Sequence, residues 1–129
     1  MNRVQQTKKL MEDFKRYASN HPRHPEKITQ DIKGLGEKYK MLSNKVRIPE
    51  NVIKPLGNMV QLSYQMNPPW YASHNGIHKM RSWAEWAWDE ITSIPQDNYN
   101  PIFDETKEIL DRIFLITAKD MANIYNMQN

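Results

Sequence analysis

The chain has 129 residues, 39% of them apolar and none of them cysteine, with a net charge of +3. That length suits one domain spanning 1–129, large enough for a core without staples, and the missing thiols exclude disulfides, zinc–thiolate sites and thiol catalysis. The densest apolar run, Ile113-Phe114-Leu115-Ile116, falls far short of the ~20 residues of a membrane span, and the charged start Met1–Met11 lacks an apolar signal core, so a cytoplasmic protein with no membrane contact is expected.

The first predicted helix covers residues 2–19. Val4, Met11, Phe14 and Ala18 repeat at helical spacing, with Leu10 and Tyr17 widening the stripe. Pro22 ends it, because the residue before a proline is pushed out of the helical region. Pro25 then suits the first position of a second helix, 25–43. Ile28, Ile32, Leu35, Tyr39, Leu42 and Val46 step by four and three along it, the cleanest amphipathic pattern in the chain. Gly34 and Gly36 inside it each cost about 1 kcal/mol relative to alanine, which a close helix crossing would offset.

Pro49 opens a third helix, 49–66, with Val52, Ile53, Leu56, Met59, Val60 and Tyr64 as its stripe. Pro55 lies inside, where it removes one hydrogen bond and is expected to kink the helix or confine regular bonding to the part after it. Asn67-Pro68-Pro69 terminates it. Ser73 caps a fourth helix, 74–93, and Asn100 caps a fifth that runs to about 126 with Pro101 at its first position. Ile102, Thr106, Ile109, Leu110, Ile113, Phe114, Thr117, Met121 and Ile124 form the last stripe. The expectation is an all-α fold, a single-domain bundle of about five helices with short proline-marked connectors. The second, fourth and fifth helices are the expected centre.

The fourth helix holds three of the four tryptophans. On a wheel at ~100° per residue, Ile77, Met80, Trp83, Ala84, Ala87, Trp88, Ile91 and Ile94 share a broad core side. Trp86 falls nearly opposite, either under a second layer or exposed as an interface anchor. A flanking ridge reads His74, His78, Arg81, Glu85, Asp89, with an Arg81–Glu85 pair expected. Its charges run against the helix dipole, at roughly 0.3–1 kcal/mol for each exposed charge.

That ridge supports two chemical readings. Free N–H groups after Ser73, with His74, His78 and Arg81 as donors, would form an anion site, and Trp70 or Tyr71 would stack on a nucleobase. His74 and His78, one turn apart, would also suit a metal with Glu85, but no metal or cofactor is expected. Residues Arg16-Tyr17-Ala18-Ser19-Asn20-His21 resemble the Arg-x4–6-His element of HEPN-type helical ribonucleases, with Tyr17 where that element has a polar residue. The resemblance implies an acid/base and phosphate-binding couple in Arg16 and His21. Glu105 and Glu108 have the spacing of the magnesium-holding glutamates of all-α nucleotide pyrophosphohydrolases.

Charge divides the chain. Residues 1–54 carry thirteen Lys/Arg against six Asp/Glu, a balance of +7; residues 55–129 carry five against nine, a balance of −4. Either the halves attract each other, or the basic half, with Lys27, Lys33, Lys38, Lys40 and Lys45, meets an acidic partner or nucleic acid. Glycine is scarce and Asn, Lys, Ile and Tyr are plentiful, a bias of AT-rich bacterial or phage-like coding.

The leading expectation is a small non-catalytic binding protein that acts through protein–protein contact, an inhibitor or accessory factor of phage or mobile-element type. Trp70, Tyr71 and Trp86 are its candidate partner-binding residues. The alternatives are a nucleotide or phosphate binder using Ser73, His74, His78 and Arg81 at the start of the 74–93 helix, and a HEPN-like ribonuclease or nucleic-acid-binding protein. A seam as regular as Ile28 to Val46 also suits a homodimer.

Overall fold

The structure is a computed structural model that describes residues 2–6, 8 and 24–128, with side chains described as far as residue 118. It is all-α. The helices are α1 (residues 3–6), α2 (Pro25–Leu42), α3 (Glu50–Ser63), α4 (His74–Thr92) and α5 (Ile102–Gln128). Two short 3-10 turns, Trp70–Ala72 and Gln96–Asn98, precede α4 and α5. The Arg16–His21 element lies outside the described residues, as do the side chains of Met121 and Ile124.

Helices α2 to α5 form a ring. Each packs on the next in sequence, and α5 closes back on α2. The α2–α5 side is tied by Arg112 to Asp31 at 2.8 Å and by Lys38 to Glu105. These pairings match late residues of one helix with early residues of the other, so the two run antiparallel. The same holds for α2 and α3, where Lys33 meets Tyr64 and Gly36 meets Val60. This is the up-and-down arrangement that short connectors favour.

The local signals in the sequence explain where the helices start. Pro25 sits at the beginning of α2, Pro49 is the N-cap of α3, and the Ser73 hydroxyl accepts from the Gly76 N–H at the start of α4. Asn100 does the same for α5, accepting from the Ile102 N–H at 3.0 Å. The third helix stops at Ser63 rather than 66. Its last turn tightens, with the Tyr64 N–H bonded to the Gln61 carbonyl, and Gln65 then folds back to donate to the Pro68 carbonyl. Helix α3 is continuous through Pro55, whose ring is buried.

The core is filled from every member of the ring. Ile28, Ile32, Leu35 and Tyr39 of α2 meet Val52, Leu56 and Met59 of α3. Ile77, Met80, Ala84, Ala87 and Ile91 come from α4, and Phe103, Ile109, Leu110 and Ile113 from α5. Burying each large aliphatic side chain contributes roughly 1.5–3 kcal/mol. Helix α3 is as central as the others, contrary to the expected centre of second, fourth and fifth helices, because it packs on both α2 and α4. Trp83, Trp88 and Ile94 are half-buried against this core. Val46 is exposed, since α2 ends at Leu42 and the stripe does not continue beyond it.

One buried polar link crosses the ring. Thr106 donates its hydroxyl proton to the Ile102 carbonyl at 2.7 Å, so the Tyr39 hydroxyl, 2.7 Å from the same oxygen, is the donor to Thr106. Burial pushes the Tyr39 phenol up from 10.0 to about 12.

Candidate functional site

Helix α3 carries two apolar rows that are one residue out of step. Val52, Leu56, Met59 and Ser63 point into the bundle and are buried. Ile53, Gly57, Val60 and Tyr64 repeat the same four–three–four spacing, ~100° further round the helix, and are exposed or half-buried. Helix α2 faces the second row with Gly36, Lys40 and Ser43. The two helices come close at Gly36, where a Cβ would lie 2.8 Å from a Val60 methyl. The close crossing expected for the glycines of α2 is therefore real at Gly36, while Gly34 faces open space.

Between the rows lies an open groove of about 390 Å³. Ile53, Leu56, Val60 and the Tyr39 side chain give it apolar walls, and Gly57 contributes bare backbone, with nothing within 4 Å of a Cβ placed there. At one end the Lys33 ammonium lies over the Tyr64 ring, 4.6 Å from its centroid. Beyond that pair a second hollow of about 230 Å³ continues the seam, lined by Thr29, Ser63, Met66, Trp70 and Tyr71. Ile53, Tyr64 and Met66 are 39%, 56% and 75% exposed, so three of the seven exposed large apolar side chains among the described residues stand on this one seam. Singly scattered apolar residues need no explanation, but a row of them does.

A larger hollow of about 700 Å³ lies at the end of the bundle where Val46–Pro49 meets Asp97–Asn100. Its walls are largely the two connectors, and its two charged lining residues, Arg47 and Asp97, are of opposite sign. The α2/α3 seam is better preorganised, because packed helices hold its walls.

The sequence-based candidates divide between core, cap and surface. Trp70 is a correction: it is 1% exposed and belongs to the core. Its indole N–H donates to the Thr29 hydroxyl at 2.9 Å, and that hydroxyl donates to the Pro25 carbonyl at 2.7 Å. The acceptor comes from α2, 41 residues away, which no local pattern announces. Tyr71 is half-buried, edge-on to Trp70 at 5.5 Å, and lines the smaller hollow. Trp86 is 36% exposed on the outer side of α4.

Of the four anion-site candidates, Ser73 is the helix cap, with its oxygen held by Gly76, and His74 and His78 are exposed. Arg81 is not with them. Its guanidinium donates to the Phe114 carbonyl at 3.0 Å and the Thr117 hydroxyl at 2.8 Å on α5, and its Nε pairs with Glu85 at 3.1 Å. Glu85 lies a turn further along α4, so the guanidinium is turned away from the helix start. The contacts to α5 account for a cation placed early on α4. Glu105 is paired with Lys38, and Glu108 is exposed. Among the described residues no three His, Asp or Glu side chains come together as a metal site, and no helix is long and apolar enough to cross a membrane.

The seam itself was missed in the sequence. The signal was the width of the α3 stripe: six apolar residues in two adjacent rows cover more of a helix than one face of a bundle can bury. Comparison with family models, with curated proteins and with solved structures gives no match to this chain.

Proposed function

We propose that this chain is a small binding protein whose action is to occupy a protein partner, in the manner of an inhibitor or accessory factor of phage or mobile-element type. The observation that supports this is the outward apolar row of α3. Ile53, Val60 and Tyr64 border a groove lined by Gly57, on a face that the other described residues cover only in part. Helix-lined apolar grooves of this kind suit capture of a partner segment. Trp86 offers a second, smaller contact on the far side of α3's neighbour α4.

The test is affinity capture from the native host with the full chain as bait, run beside Gly57→Leu and Trp86→Ala. A Cβ at 57 meets open space, so leucine there is expected to fill the groove, and circular dichroism checks that the variant folds. A partner held by the native chain and lost with Gly57→Leu supports the reading. A partner lost only with Trp86→Ala moves the contact to α4. A catch unchanged by both variants removes the two surfaces together.

A further inference from the structure

We infer that Asn75 is a self-modification site held in check by the fold. Its side-chain amide is lost to the backbone nitrogen of Gly76 when the first turn of α4 opens, and the Ser73 cap and the Trp70 joint keep that turn closed. Two observations point there.

The first is sequence. Asn75 is the one asparagine in the chain that is followed by glycine. In asparagine deamidation the nucleophile is the backbone nitrogen of the next residue, and glycine has no side chain to crowd it. Asn-Gly ordinarily marks a turn. Here it lies in the first turn of a helix, with Asn75 exposed and Gly76 buried.

The reaction needs only water and a solvent base. The Gly76 nitrogen gives up its proton and attacks Cγ of Asn75. The new N–Cγ bond closes a five-membered succinimide, the Cγ–Nδ2 bond breaks, and Nδ2 leaves as ammonia. Water then opens the ring at either carbonyl, giving aspartate or isoaspartate. Nothing is oxidised or reduced.

The second observation is geometry. Ring closure needs the Gly76 nitrogen nearly coplanar with Cβ, Cα and the carbonyl carbon of Asn75. That demands a large rotation about the Asn75 ψ, away from the helical value of ~−42°. The Gly76 N–H donates to the Ser73 hydroxyl oxygen at 3.0 Å, and the Ile77 N–H to the Ser73 carbonyl at 3.0 Å. The proton that must leave is therefore the one the cap holds. Gly76 also lies so close on Trp70 that a Cβ would sit 2.2 Å from its carbonyl oxygen. The peptide plane cannot swing unless the cap breaks and the turn lifts off Trp70.

The products differ in consequence. Aspartate at 75 suits the start of α4, whose first turn has no acidic residue of its own. Isoaspartate adds a methylene to the main chain, so the capped turn cannot re-form. The change is one-way, and its rate reports how often this end of α4 opens.

The experiment incubates the full chain, folded and in urea, in mildly alkaline buffer. Peptide mapping by mass spectrometry follows every asparagine. In urea, Asn75 should be converted ahead of all the others. In the folded chain it should react at least tenfold more slowly than in urea. Ser73→Ala should speed the folded-state reaction about fivefold, the usual worth of an N-cap, and expose the Gly76 N–H to hydrogen exchange. Ser73→Thr keeps the acceptor oxygen and should stay within about twofold of the native rate. Circular dichroism checks that each variant folds.

Equal rates for the folded and urea-unfolded chain overturn the assignment. So does another asparagine reacting first in urea, or a folded Ser73→Ala chain that keeps the native rate. If Ser73→Ala does not fold, Ser73→Thr decides: a rate near native supports the cap as the brake, and a rate near that in urea overturns it.

Discussion

The junction ahead of α4 and the seam between α2 and α3 are each built around a glycine, and they use it in opposite ways. At Gly76 a Cβ would lie 2.2 Å from the Trp70 carbonyl oxygen. The missing side chain there is filled by the protein's own backbone, which lets the 3-10 turn sit against the start of α4 and drives the Trp70 ring into the core. At Gly57 nothing fills the space. One glycine closes a joint and the other leaves a surface open. The difference teaches that glycine in a helix has no single meaning: the neighbour, not the residue, decides whether the position is packed or open.

The comparison is broken hardest at Trp70. Trp70→Ala removes the largest side chain of the closed joint and orphans the Thr29 acceptor, with an expected loss of about 4 kcal/mol in urea unfolding. A loss under about 1 kcal/mol would mean that the joint is not a packed element at all. Gly76→Ala should cost less, about 2–3 kcal/mol, because the turn can shift by part of the overlap and alanine is the better helix former. If it proves neutral, the contact with the Trp70 carbonyl is not what excludes a side chain.

Tyr39→Phe tests the floor of the open seam. It removes one buried hydrogen bond but leaves Thr106 bonded to Ile102, so about 1 kcal/mol is expected. The pH dependence sharpens this. The folded-state phenol titrates at about 12 against an ordinary 10.0, so the folded chain holds that proton more tightly. The associated stability is complete below the unfolded value of 10.0 and is lost as pH climbs toward 12, at up to ~1.4 kcal/mol per pH unit. The advantage of the native chain over Tyr39→Phe should therefore narrow only above pH 10.0. A constant difference across that window would show the phenol to be more solvated than the structure has it.

The smallest effect has the opposite sign. Gly57→Ala should stabilise by about 0.5–1 kcal/mol in thermal or urea unfolding, since alanine restricts the unfolded chain and meets open space in the folded one. Gly36→Ala should not share the gain. Its Cβ would press a stiff, β-branched Val60 at 2.8 Å. Equal gains at both positions would erase the distinction between packed and open glycines that defines the seam.

Much of this fold was legible in the amino-acid sequence alone. Helix number, most boundaries and the buried rows of α2, α4 and α5 came from period-3.6 spacing and from caps at Ser73 and Asn100, all of which act within a turn or two of chain. What only the tertiary structure decided was direction. Trp70 is core because Thr29 of α2 accepts its N–H; Arg81 leaves the start of α4 because Phe114 and Thr117 of α5 take its guanidinium. Of α3's two apolar rows, the inner one is set by where α2 and α4 stand. Spacing along one helix fixes which residues share a face, but which face is buried depends on partners distant in sequence, and the candidate site is the face of α3 that the other described residues cover only in part.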